Sequence, residues 1–308
     1  MSSTAVYNKN ILEQIWNGKI PVQITVDTRS IQEVLNTNTT NEEFVWNPIY
    51  LEVPRCSYLP LVTEHIQKVI SQLERTHIID QTQLDDKFRN AWYEYLGVPL
   101  KWHYPIGLLH DLYCNTPTDI WTLTLQFDNL PTDEILEKPT VDNMRDMYMS
   151  MMKEADFLLH GSTKKVMNLS KKDSKQLWQG VVLDAFEDFH NVNKNLRSSS
   201  GLLSPSSSPA SKNISNNRIR YVPLKIYLPN NCPVIQELIS FSGHQDESAS
   251  PTIQDILKQA IPELTFPLDS KLTIMLHGIE VPLDTPIVWA YENLAYADNF
   301  LHMVIKYK

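Results

Sequence analysis

Apolar side chains recur along this chain in two rhythms, and the switches between them outline its architecture. Alternation by two runs through Ile20 to Val26, Ile49 to Val53 and Trp121 to Phe127, the pattern of strands with one buried face. Between the first two lies a polar loop, Asn36 to Glu43, and Ile11, Leu12, Ile15 and Trp16 predict a short leading helix. From Leu61 to Leu73 the spacing changes to that of an amphipathic helix, with Leu61, Ile66, Val69, Ile70 and Leu73 facing inward. The same order returns near the C-terminus. Tyr221 to Leu228 alternates as a strand, and Cys232 to Phe241 is spaced to pair with it as a hairpin. Thr252 predicts the N-cap of a helix carrying Ile253, Ile256, Leu257, Ala260 and Ile261, which Pro262 ends or kinks. Leu272 to Glu280 reads as a strand closed by a glycine turn, Pro286 to Trp289 as a short helical turn, and Phe300 to Ile305 as a final strand. A helix laid across one face of a mixed sheet, twice over, is the α+β arrangement of a β-grasp or ubiquitin-like domain.

Between the two grasp patterns the rhythm is helical. On a helix over residues 144–159, Met144, Met147, Tyr148, Met151, Ala155, Leu158 and Leu159 share one arc. Lys153 projects from the opposite side, flanked by Asp146 and Asp156, so its amine is expected to reach solvent. A second stripe, Trp178, Val181, Val182, Ala185, Phe189, Val192 and Leu196, falls on one helical face. It is followed by Ser198 to Asn217, where nine of twenty residues are serine. That segment buries too little apolar surface to offset its conformational entropy and reads as a flexible linker. The expected organisation is an N-terminal helix over 1–19, a first ubiquitin-like domain over 20–130, a helix-rich domain over 140–197, the linker over 198–217 and a second ubiquitin-like domain over 218–308.

Charge refines this picture. The chain carries a formal net charge of −9 over 308 residues, which argues against general nucleic-acid binding. Residues 1–139 hold 10 Lys/Arg against 18 Asp/Glu, whereas Lys164, Lys165, Lys171, Lys172 and Lys175 cluster around a single acid, Asp173. Two surfaces of opposite sign suggest two kinds of partner; the alternative for the lysine run is an ordinary solvated helix cap. No apolar run approaches the roughly 20 residues of a membrane helix. No secretory signal is visible, and three scattered cysteines fit reduced thiols, so a cytoplasmic protein is expected.

Catalytic signatures are scarce. Phosphate-cradling, nucleophile-elbow and His-Glu-x-x-His motifs are absent, and with eight glycines there is little material for such loops. Cys56 stands between Arg55 and Ser57, where a cation lowers a thiol pKa. Neither it, Cys114 nor Cys232 lies in a nucleophile motif, and the histidines are not spaced to bind metal. No cofactor is expected. Trp92, Tyr93, Tyr95, Trp102 and Tyr104 crowd into thirteen positions, as core or as the floor of a groove for a partner helix.

Several stretches, in order, resemble the autophagy protein 5 family: Ile15 to Pro21, Pro54 to Leu59, Pro99-Leu100-Lys101-Trp102-His103-Tyr104-Pro105-Ile106-Gly107-Leu108-Leu109, Met152-Lys153-Glu154-Ala155-Asp156, Lys175 to Trp178, Met275 to Glu280 and Asp298 to His302. The resemblance implies two ubiquitin-like domains around a helical one. It implies that Lys153 forms an isopeptide bond with the C-terminal glycine of autophagy protein 12, and that the helical part of autophagy protein 16 binds in a groove. The conjugate would then promote transfer of autophagy protein 8 to phosphatidylethanolamine, the chemistry belonging to the thioester-carrying enzymes and not to this chain. A cytoplasmic protein peripheral to preautophagosomal membranes follows, with the lysine run at 164–175 as the expected contact with anionic lipid. A non-covalent β-grasp adaptor that binds partner helices is the alternative. The chain stops in a lysine soon after its last strand, so an acceptor or scaffold is expected and not a transferred modifier, which needs a flexible tail ending in glycine.

Overall fold

The computed structural model describes residues 7–27, 47–73, 81–114, 119–197, 221–229, 232–236, 251–265, 268–269 and 271–307. The expected Asn36–Glu43 loop and the 198–217 linker lie outside them. The chain divides into two units, Trp16–Tyr148 and Met1–Ile15 with Met149–Lys308.

In the first unit the period-two pattern becomes a five-stranded sheet ordered β2-β1-β5-β3-β4. Its strands are β1 (Lys19–Val26), β2 (Ile49–Pro54), β3 (Trp92–Tyr95), β4 (Val98–Pro99) and β5 (Trp121–Gln126). β1 runs antiparallel to β2 and parallel to β5, with Val22 opposite Trp121. That register turns Ile20, Val22 and Ile24 inward with Trp121, Leu123 and Leu125, all nearly inaccessible. Among the described residues this unit holds the helices α2 (Leu59–Leu73), α3 (Gln81–Phe88) and α4 (Ile106–Tyr113) and the start of a further helix from Val141. α2 buries Ile66 and Ile70 completely; Leu61 and Val69 are half-buried. Arg55, at the end of β2, ion-pairs with Asp111 of α4 inside the unit and also donates to the Gly107 carbonyl at 3.1 Å. Of the aromatic cluster, Trp92, Tyr93 and Trp102 are buried and serve as core. The Trp92 and Trp102 indoles donate to the Asp128 and Leu136 carbonyls at 2.9 and 2.8 Å.

The second unit repeats the pattern with β6 (Leu224–Tyr227), β7 (Leu272–Leu276), β8 (Ile279–Glu280) and β9 (Leu301–Tyr307), ordered β6-β9-β7-β8. β6 again runs parallel to the last strand, β9. The expected hairpin partner of β6 is described only as a bridge between Ile226 and Ile235; residues 237–241 lie outside the described residues. Helix α9 (Ile253–Ala260) is held by a capping box in which Thr252 and Asp255 satisfy each other's backbone N–H. The expected turn at Pro286 extends into a full helix, α10 (Ile287–Leu294).

The leading helix, α1 (Lys9–Trp16), lays Ile11 and Ile15 against the core of this second sheet. The hairpin of α7 (Lys171–Val182) and α8 (Phe186–Arg197) belongs to the same unit. The single stripe expected from Trp178 to Leu196 is therefore split. Asp184 takes a left-handed φ of 53° at the turn, and the Ala185 N–H reaches the Gly180 carbonyl at 2.8 Å. α8 approaches closely at Gly180, where a Cβ would stand 2.6 Å from the Phe189 nitrogen.

Candidate functional site

Lys153 stands on α5 (Val141–His160), the longest helix described. The stripe predicted for it holds at Met144, Tyr148, Met151 and Ala155, all buried. Met152, outside that arc, is also fully buried, and the buried face is wide enough to reach the flank of Lys153. Lys153 is accordingly half-buried, not fully exposed, while Glu154 and Phe157 are open to solvent. Among the described residues, no hydrogen bond or ion pair engages the Lys153 amine.

The carboxylates nearest to it in sequence are both committed. Asp156 was expected beside Lys153 on the solvent side, but it is 5% exposed. One of its oxygens accepts from the Val166 N–H at 3.0 Å, at the short helix α6 (Lys164–Met167). Its inward turn follows from that bond, because a carboxylate resting on a helix-terminal N–H satisfies an otherwise orphaned donor. Glu154 turns the other way. Its Oε1 accepts from Gln236 Nε2 at 2.5 Å, and its Oε2 lies 3.8 Å from Lys225 Nζ on β6. Sequence reading missed this pair. Gln236 is 82 residues from Glu154, and no local pattern marks so distant a partner.

The lysine run is not one surface. Lys164, Lys171, Lys172 and Lys175 are exposed, with Met167 61% exposed among them. Lys165 is half-buried and points its Nζ at the Asn195 and Leu196 carbonyls, 3.5 and 3.4 Å away at the end of α8. Burial lowers its pKa, and Asp156 opposes that shift. It acts as a C-cap, which the charge count alone did not distinguish. His160 shares this corner, bonded to the Leu196 carbonyl at 2.8 Å, and burial lowers its pKa as well.

The thiols are dispersed, Cys56 and Cys114 buried and Cys232 exposed. Among the described residues no group of His, Cys, Asp or Glu is placed to hold a metal ion, and no helix is long and apolar enough to cross a membrane.

Two grasp sheets, a helical hairpin and a long helix define an α+β protein built from ubiquitin-like domains and a helical region. Family models for autophagy protein ATG5 match in three successive blocks: the UblA domain over residues 15–127, the alpha-helical bundle region over 141–199 and the UblB domain over 221–305. The chain is 32% identical over 305 residues to autophagy protein 5 of Drosophila melanogaster, covering 98% of both chains. It is 29% identical to that of Debaryomyces hansenii, covering 96% of this chain and 94% of the relative. A crystal structure of Kluyveromyces marxianus Atg5 shares the fold, with a TM-score of 0.71 over 97% of this chain and 100% of that one, at 24% identity. This chain belongs to the autophagy protein 5 family, and its role is in autophagy.

Proposed function

We propose that the chain is the acceptor to which autophagy protein 12 is joined through Lys153. In this reading the conjugate, with autophagy protein 16, promotes transfer of autophagy protein 8 to phosphatidylethanolamine. The observation that carries the reading is Lys153 itself, half-buried on a packed helix with its amine engaged by none of the described residues. A lysine amine enters such a reaction as ammonium and loses one proton before it can attack. The neutral nitrogen adds to the thioester carbonyl held on a conjugating enzyme, the C–S bond breaks as C–N forms, and the second proton leaves the nitrogen. The products are an isopeptide amide, the enzyme's free thiol and one net proton. The scaffold's contribution is to hold the amine where the thioester meets it. Catalytic sulfur belongs to the enzyme in this scheme, so Cys56→Ser, Cys114→Ser and Cys232→Ser leave conjugation intact apart from effects on folding.

The acidic balance of residues 1–139 suits a basic amphipathic helix such as autophagy protein 16 would offer. Exposed Lys164, Lys171, Lys172 and Lys175 around Met167 suit the anionic face of a membrane; in this reading the protein is cytoplasmic and peripheral to preautophagosomal membranes. Each exposed lysine near such a surface contributes on the order of 1 kcal/mol. Lys164→Glu with Lys175→Glu therefore weakens binding to phosphatidylserine liposomes at low salt; unchanged binding removes the membrane reading.

The deciding experiment is mass spectrometry of the protein from its own cells, which should yield a branched peptide at Lys153. A gel band heavier by one ubiquitin-like protein should vanish in Lys153→Arg. A band that survives that substitution leaves the non-covalent adaptor as the better account.

A further inference from the structure

Glu154 stands next to Lys153 on α5 and is held from two directions. Gln236 donates to its Oε1 at 2.5 Å, and Lys225 Nζ lies 3.8 Å from its Oε2. Both grips come from one edge of the second sheet. Lys225 is on β6, and Gln236 directly follows Ile235, whose backbone bridges to Ile226 of the same strand with paired N–H···O bonds of 2.9 Å. Lys225 is itself fixed in place. Its ammonium stands 4.1 Å over the ring of Phe300, a residue with no exposed surface, and its side chain is only 16% exposed.

An ordinary surface pair contributes little because two long side chains must be ordered at once. Here the cation is ordered already, so Glu154 gains a fixed anchor at the loss of its own rotamer freedom alone. Apolar contacts from Met152 and Ala155 set how deeply this part of α5 sits. Such contacts are not directional, and a helix held only by them can roll or slide by fractions of an ångström. A hydrogen bond and an ion pair from a neighbouring strand are directional and oppose that motion.

We propose that Glu154 is a positioning residue, locked by Gln236 and Lys225 so that α5 presents the Lys153 amine at one fixed place beside the second grasp domain. This inference rests on the reading of Lys153 as the acceptor. Amide formation needs the nitrogen at roughly 3–3.5 Å from the thioester carbonyl and in line with it, so loss of that restraint slows the reaction without removing any reacting group.

The test uses the full-length chain with autophagy protein 12 charged as a thioester on its conjugating enzyme, and reads the initial rate of the shifted band. Glu154→Ala is expected to slow conjugation about three- to ten-fold. Glu154→Gln keeps a carbonyl acceptor for Gln236 but loses the ion pair, and recovers part of that loss. Lys225→Met, which leaves the Gln236 bond in place, slows the reaction by part of the Glu154→Ala loss. The double variant Glu154→Ala/Lys225→Met is no slower than Glu154→Ala alone, because the lysine acts through Glu154. Thermal unfolding of each variant accompanies the rates, and a loss of rate that follows loss of Tm overturns the proposal. Parent-like rates in the single variants, or purely multiplicative losses in the double, also overturn it. Lys153→Arg separates the two readings. If it abolishes the band while the Glu154 variants keep the parent's rate, only the clamp fails; if the band persists, the acceptor assignment fails and takes the clamp with it.

Discussion

Replacing Arg55 by methionine should be among the most damaging single changes in the first unit. The guanidinium reaches both Asp111 and the Gly107 carbonyl, and the two charged side chains are only 10% and 3% exposed. Around this pair the end of β2 is laced to α4 by backbone bonds, Gly107 N–H to Arg55 O at 2.8 Å and Ile106 N–H to Ser57 O at 2.9 Å. Methionine fills most of the volume but leaves the Asp111 carboxylate buried without its cation and removes a donor from the Gly107 carbonyl. An uncompensated buried charge of this kind costs about 3–5 kcal/mol, well beyond the value of a surface pair. Removing both charges in Arg55→Met/Asp111→Leu should return much of that loss, because neither ion is then stranded. Urea unfolding monitored by hydrogen exchange at the α4 amides isolates the relevant unit. The reasoning is refuted if Arg55→Met costs less than about 1 kcal/mol, or if the double variant is no more stable than the single one.

Two further perturbations follow from the second unit. Gly180→Ala should gain about 1 kcal/mol of helix propensity yet lower Tm, because the new methyl stands 2.6–2.9 Å from Phe189 backbone and Cβ atoms, an overpacking that costs about 1–3 kcal/mol; a raised Tm by circular dichroism would mean that the hairpin opens freely. Asp298 is fully buried, with its Oδ2 2.9 Å from His302 Nε2 and its Oδ1 accepting from the Phe300 N–H at 3.0 Å. Burial alone pushes this carboxyl up, but His302, that N–H and Lys225 outweigh it and hold the pKa below the usual value. A lowered folded pKa stabilises at pH values above the ordinary carboxylate range, near about 4, and that stability is lost as pH falls through the lower folded value. Asp298→Asn should therefore lose stability at pH 7 and flatten the acid limb of the stability profile, as read from urea midpoints between pH 2 and 7.

How far the sequence could be read depended on the distance over which each feature is decided. The strands at 20–26, 49–53 and 121–126 and the capping box at Thr252 declare themselves in a few neighbouring residues. β3 and α3 did not, because Trp92–Tyr95 is too short to show alternation and Gln81–Phe88 carries little apolar periodicity. The stripe from Trp178 to Leu196 looked continuous across Asp184, since two helices folded back on each other keep the same inward spacing. At the candidate site, the place of Lys153 on a helix was legible, but its half-burial beside Met152 was not. Nor was the inward turn of Asp156, for it depends on a Val166 N–H brought up by the following helix.

By itself the sequence determined what periodicity and caps can encode: two grasp patterns, a helical block between them, and a lysine on the polar side of an amphipathic helix. Only the tertiary structure decided that α1 packs its Ile11 and Ile15 against the second core, that Lys165 closes α8 while its neighbours face water, and that Glu154 meets Gln236 and Lys225. The physical reason is range. Backbone sterics and hydrophobic alternation act between residues a few positions apart, whereas the partner of a charged side chain is whichever group the packed elements bring within a few ångströms, however far away it lies in the chain.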